Sequence, residues 1–150
     1  MAWITIVEAD ILTVMSGAEL EAIRAAALKL GQADPVAPTI AQVTDHVRGF
    51  VGGCKSNQLG PAGTIPQKLL ATALDLLAVR IPLRVNISPK SGRKDAAEAA
   101  GDLLKLVAKC DFDIEEPGEI TEEESFSKAG KPSIKSCRER QFDRRSQDGI

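Results

Sequence analysis

Tyrosine is absent from this sequence, and the remaining aromatics are one Trp and four Phe. Any core must therefore be built from Ala, Leu, Ile and Val, and aromatic stacking platforms are scarce. Histidine occurs once, and the cysteines are only Cys54, Cys110 and Cys137. An odd number of widely spaced cysteines suits neither a disulfide framework nor a zinc site, so all three are expected to be free thiols in a reducing compartment. An excess of one charge is lacking too: 19 Lys and Arg against 21 Asp and Glu leave a formal net charge of −2. Without a broad basic face, general nucleic-acid binding is disfavoured. Nor is there an uninterrupted apolar run. The longest candidate, Ile65 to Ile87, is broken by Gln67, Lys68, Asp75, Arg80, Pro82, Arg84 and Asn86, which excludes a membrane-spanning helix there. Met1 to Val7 has no basic lead and is followed by Glu8 and Asp10, unlike a secretory signal, so the expected location is the cytoplasm where the chain is made.

What the sequence does contain is helical patterning. A chain of 150 residues has room for one domain and buries roughly 70% of its unfolded surface without staples. Thr5 with Glu8 has capping-box spacing and predicts a short helix over residues 6 to 14. Ser16 with Glu19 repeats the device. Behind it Leu20, Ile23, Ala27 and Leu30 recur at helical spacing up to Gly31, a natural stop. Two prolines and an Asp make 32–38 a loop. Thr39 with Gln42 then predicts the cap of a third helix with the stripe Ile40, Val43, Val47, Phe50 and Val51, ending at Gly52 and Gly53. After a polar stretch, Thr64, Pro66 and Gln67 open the most apolar segment. There Leu69, Leu70, Ala73, Leu74, Leu76, Leu77 and Ile81 cover almost the whole helix surface, which puts this helix at the centre. Pro82 should kink or end it. A loop to about Arg93 precedes a last helix from Asp95 to Cys110, with Ala96, Ala99, Ala100, Leu103, Val107 and Cys110 along one side.

Chemistry is harder to find. Gly49, Gly52, Gly53, Cys54, Lys55 and Ser56 share residue types with a phosphate-binding loop, but Cys54 stands where that motif requires its second glycine, and the run follows a helix where the motif follows a strand. Two glycines closing a helix is the simpler reading. His46 lies at the edge of the third helix's stripe beside Asp45, with no Ser or Cys at helical spacing to serve as a nucleophile. Asp111, Asp113, Glu115 and Glu116, and the run Glu119 to Glu124, lack the glycine turn and ligand order of a calcium loop and read as solvated acids. No catalytic residue, cofactor or metal site is therefore expected. Lys90, Arg93 and Lys94 form a compact basic patch able to touch DNA or phosphate, although short basic loops are usually solvated charge.

The composition changes beyond Pro117. An acidic run, Glu119 to Glu124, gives way to a basic stretch, Lys128 to Arg145, with few residues able to join a core. The expected organisation is a helical domain over residues 1–116 and a polar arm over 117–150 that gains order on a neighbouring subunit. Arg138, Arg140, Arg144 and Arg145 surround Phe142, a mix found in interface anchors, and Phe126 and Ile134 are further candidate contacts. The fold class is all-α: a small bundle of four to five helices with an extended C-terminal arm.

Taken in order, several stretches resemble a family of small Mu-like prophage proteins of unknown function that is related to the head-to-tail connector, or adaptor, proteins of long-tailed phages. Ile4, Thr5 and Ala9 to Leu12 look like that family's N-terminal helix, and Ile40 to Gly53, with Asp45 and Gly49, Phe50, Val51, Gly52, looks like its second block. Ile65, Pro66 and the helix to Ile81 are similar to its Pro-initiated central helix, Ala96 to Ile114 to the helix after a variable linker, and Arg140 to Ile150 to its basic terminal arm with one Phe. The tyrosines and aromatic pairs common in the family are missing, and Ser146 and Gln147 replace a more apolar ending. The resemblance implies a structural virion protein of the neck, assembled in the host cytoplasm. It would form a homo-oligomeric ring of about twelve copies around the DNA channel, between the portal protein and tail-side neck or tail-completion proteins. The competing expectation is a nucleic-acid-binding regulator that uses the basic loop and the arm. An enzyme ranks last, for want of a recognisable nucleophile, base or metal constellation.

Overall fold

A computed structural model describes residues 3–118, which lie within one compact unit. Five α-helices make it up: α1 (Glu8–Ile11), α2 (Gly17–Lys29), α3 (Val36–Gly53), α4 (Leu70–Leu83), entered through a single 3-10 turn at Gln67–Leu69, and α5 (Ser91–Ala108). The protein is thus an all-α bundle. Among the described residues the only extended pairing is one antiparallel bridge, in which Ile4 and Ile65 exchange both backbone hydrogen bonds at 2.9 Å.

The near-continuous apolar surface of α4 is explained by its position. It packs against α3, α5 and α1, and buries Thr72, Ala73, Leu74, Leu76, Leu77, Ala78 and Ile81. Around it the core is almost wholly aliphatic: Ile11, Leu20, Ile23, Val43, Val47, Val51, Leu104 and Val107 are all at most 2% exposed. Each such side chain contributes about 1.5–3 kcal/mol through burial, which for a small domain must offset the ordering entropy. Among the described residues no buried side-chain polar atom lacks a hydrogen-bond partner.

Helix starts differ from the sequence reading in four places; at α4 the expected opening by Thr64 and Pro66 is replaced by the 3-10 turn, the α-helix begins at Leu70, and the Thr64 hydroxyl donates to the Pro61 carbonyl at 2.7 Å. The first helix is shorter and begins at Glu8, with the Asp10 carboxylate, rather than a Thr5 and Glu8 pair, accepting from the Val7 amide at 2.9 Å. Helix α3 begins at Val36 inside the expected loop. Pro35 and Pro38 fall at the cap and first turn, where a missing amide costs nothing, and Asp34 accepts from the Val36 amide at 3.0 Å. Thr39 is therefore no cap. It is fully buried, and its hydroxyl donates to the Pro35 carbonyl at 2.6 Å. Helix α5 starts at Ser91, four residues early, because Arg93 in its first turn is neutralised by Glu19 of α2. The expected Ser16 cap of α2 is present and accepts from the Glu19 amide at 3.3 Å. Pro82 sits in the last turn of α4, whose helix ends one residue later.

Three helices end in the same way. After α2, α4 and α5 the chain turns through a left-handed residue, Gly31 (φ 70°), Asn86 (φ 58°) and Cys110 (φ 66°) respectively. The amide that follows each returns to an earlier carbonyl: Gln32 to Ala27, Ile87 to Pro82, and Asp111 to Leu106. These are Schellman closures, which satisfy carbonyls the helix leaves unpaired. Glycine and asparagine favour such a backbone, whereas cysteine adopts it much less often.

Cys110 is bonded in a disulfide, which corrects the expectation of free thiols for two of the three cysteines. Cys54, just past the end of α3, is bonded to Cys110, just past the end of α5, with Cα atoms 5.3 Å apart. Spacing in sequence hid the pairing: the two residues are 56 apart, and only the meeting of two helix C-termini brings them together. Gly53 permits the close approach of those ends, since a Cβ there would lie 3.2 Å from the Cβ of Ala108. Cys137 lies outside the described residues.

Candidate functional site

Of the three residues in the basic patch, the structure leaves two available to solvent. Arg93 points back onto α2, where its guanidinium holds both carboxylate oxygens of Glu19, one at 2.9 Å, and donates to the Val14 carbonyl at 3.1 Å. The hydrogen bond from Arg93 lowers the Glu19 pKa from its ordinary value against an opposing desolvation, and the same bond raises that of Arg93. Arg93 is thus a structural cation joining α5 to α2. Lys90 and Lys94 are exposed at the N-terminal end of α5, the helix end whose dipole disfavours positive charge. The arm contacts, Phe126, Ile134, Arg138, Arg140, Phe142, Arg144 and Arg145, lie outside the described residues.

His46 meets Phe50 edge-on, ring centroids 5.1 Å apart, beside a shallow hollow of about 300 Å³ lined by Asp45, His46, Gly49, Phe50 and Ala108. Desolvation lowers its pKa from the ordinary histidine value and the Arg80 charge adds to the effect, both favouring the neutral imidazole. The Gly49 to Ser56 run is the end of α3 followed by a turn. Its amides do not form the start of a helix, the geometry by which phosphate loops cradle an anion. Among the described residues no group of three or more His, Cys, Asp or Glu is placed to hold a metal, and no helix is long and apolar enough to cross a membrane.

Two arrangements went unnoticed in the sequence. Trp3 is buried, its indole N–H donating to the Glu115 carbonyl at 3.1 Å, and the Arg48 guanidinium lies 5.5 Å from the ring centroid. Arg48 also donates to the carbonyls of Pro61, Thr64 and Gly60 at 2.7, 2.7 and 3.0 Å, so one side chain organises the whole 60–64 turn. Glu115, read as a solvated acid, has its carboxylate on the Lys68 amide at 3.1 Å, at the entrance to α4. Only its distance in sequence from Trp3 and Lys68 concealed these contacts.

The other arrangement is on the surface. Helix α2 buries Leu20, Ile23 and Ala27, but its end presents Leu28, 80% exposed, and Leu30, 53% exposed. Leu30, expected on the core stripe, has left it because the chain is already turning towards Gly31. An ion-pair cluster flanks this helix: Arg24 bonds Glu8 at 2.7 Å and Asp34 at 3.1 Å. No protein-family model matches the chain, and neither the curated proteins nor the solved structures searched contain a match to it.

Proposed function

We propose that the chain is a structural assembly protein of a phage virion, similar to the head-to-tail connectors, whose copies pack side by side in a ring between the portal and the tail-side neck proteins. The observation that carries this reading is the leucine pair at the end of α2. Exposed leucines on a helix at the edge of a small bundle are the kind of surface that a neighbouring subunit covers. The polar, arginine-containing arm adds contacts that a body of this size cannot supply alone. The reading needs no catalytic residue and no cofactor, and the proposed place of action is the virion neck after assembly in the host cytoplasm.

The test is to mix the full-length chain with portal rings of the same phage and to compare it with Leu28→Asp. Because Leu28 is so exposed, the substitution should leave the melting temperature within a few degrees of the parent. Loss of co-sedimentation with the portal is expected for the variant, whereas equal co-sedimentation would remove α2 from the interface. The competing nucleic-acid reading rests on Lys90 and Lys94, which are exposed, without Arg93, which is engaged. Duplex DNA binding with a steep salt dependence, lost in a Lys90→Ala, Lys94→Ala variant, would favour it.

A further inference from the structure

The turn between α3 and the 60–64 segment brings a hydroxyl against the disulfide. Ser56 Oγ lies 2.8 Å from Cys54 Sγ and 3.8 Å from Cys110 Sγ. The two sulfurs are not equivalent: Cys54 is 1% exposed, while Cys110 is exposed at the end of α5. We propose that Cys54, Ser56 and Cys110 form a thiol–disulfide exchange site, open to a dithiol reductant, which controls whether the segment that follows α5 stays docked on the bundle.

The chemistry follows from access and from the hydroxyl. A thiolate of the reductant attacks Sγ of Cys110, the more exposed residue of the pair, forming a mixed disulfide there and breaking the bond to Cys54. The electron pair of the broken bond leaves on Cys54 as a thiolate, and the Ser56 hydroxyl, already at hydrogen-bond distance, donates to it. The second thiol of the reductant, as its thiolate, then attacks its own sulfur in the mixed disulfide and releases Cys110. The reductant ends as a cyclic disulfide, and the protein gains two electrons and two protons as a pair of thiols.

The mechanical consequence comes from the backbone of Cys110. Of the three left-handed closing residues it alone is neither Gly nor Asn, and the bond to Cys54 is what secures it. Once the bond opens, Cys110 is free to return to an ordinary conformation, which disrupts the Asp111 amide to Leu106 carbonyl closure. The residues beyond are those whose Glu115 holds the Trp3 indole through its carbonyl and the Lys68 amide through its carboxylate, and whose Asp113 carbonyl accepts from Lys68 Nζ. Opening the bond therefore loosens a strap across Trp3 and the entrance to α4.

Trp3 is the sole tryptophan, so the full-length chain carries its own reporter. Its emission should shift to longer wavelength on addition of dithiothreitol, with the time course of thiol release, while circular dichroism keeps the helical signal. Peptide mapping of the unreduced chain should find Cys54 joined to Cys110, and a monothiol trapped under mild conditions should be found on Cys110. Reduction of Ser56→Ala should be several-fold slower than that of the parent at equal melting temperature. The proposal is overturned if the mapped chain has no Cys54 to Cys110 link, if the bond opens with no change in Trp3 emission, if the monothiol is found on Cys54, or if Ser56→Ala is reduced at the parental rate.

Discussion

Trp3, Arg48 and Gly60 show how much of this fold depends on single side chains at loop positions. The Trp3 ring fills the space beside Gly60, where a Cβ would lie 2.5 Å from the indole, too close for a rigid ring to yield. Gly60→Ala should therefore lower stability by about 1–3 kcal/mol in urea titrations, through displacement of Trp3 and of the Arg48 contacts to the 60–64 turn. An unchanged midpoint would mean that the ring is free to move. Glu19 gives a prediction in pH. Its pKa is lowered in the folded chain, chiefly by the Arg93 hydrogen bond, so its contribution is complete above the ordinary glutamate value of about 4.3 and is lost as the pH falls through the lower folded value. Glu19→Gln should cost about 1 kcal/mol at pH 7, and the gap between parent and variant should close as the pH falls through that acidic window. His46 behaves in the same sense: proton NMR should give it a midpoint below about 6.5, and Arg80→Ala should raise it. None of these pairings was legible in the sequence, because Trp3 and Glu115, or Glu19 and Arg93, are distant along the chain and no local period connects them.

The helices were legible because their signals are local. The Ser16 cap, the Gly31 stop, the α3 stripe and the all-round apolar surface of α4 each follow from spacing within one or two turns. The starts of α3 and α5 were misplaced because turn-forming or basic residues look like loop until a side-chain partner, just upstream for α3 and on α2 for α5, makes them acceptable in a first turn. Asp34 does this for Val36, and Glu19 does it for Arg93. The ends of α3 and α5 were also read singly, so the disulfide between them went unseen. Its closure of a 56-residue separation stabilises the bundle by up to about 4 kcal/mol on the chain-entropy account. Denaturant unfolding with and without dithiothreitol should show a drop of that order. A midpoint indifferent to reduction would mean that the helix ends hold each other without it.

At the scale of the whole molecule, the bundle explains its own core and leaves part of its apolar surface uncovered. Leu28 and Leu30 face solvent at the end of a peripheral helix, although the core positions of α2 are well filled. The all-α class and the central place of α4 were readable from periodicity, but exposed leucines at a helix end have no period that marks them. Leu28 lies off the stripe Leu20, Ile23, Ala27 and Leu30 and carries no signal of its own, whereas Leu30 falls on that stripe although it is exposed. The proposed connector role brings these leucines and the polar arm together in one account, in which the body packs laterally and the arm reaches a neighbour or the portal. Electron microscopy of the full-length chain mixed with portal rings of the same phage tests this most directly. The account predicts rings of the protein stacked coaxially on one face of the portal, and portal particles left bare in the presence of excess protein would contradict it.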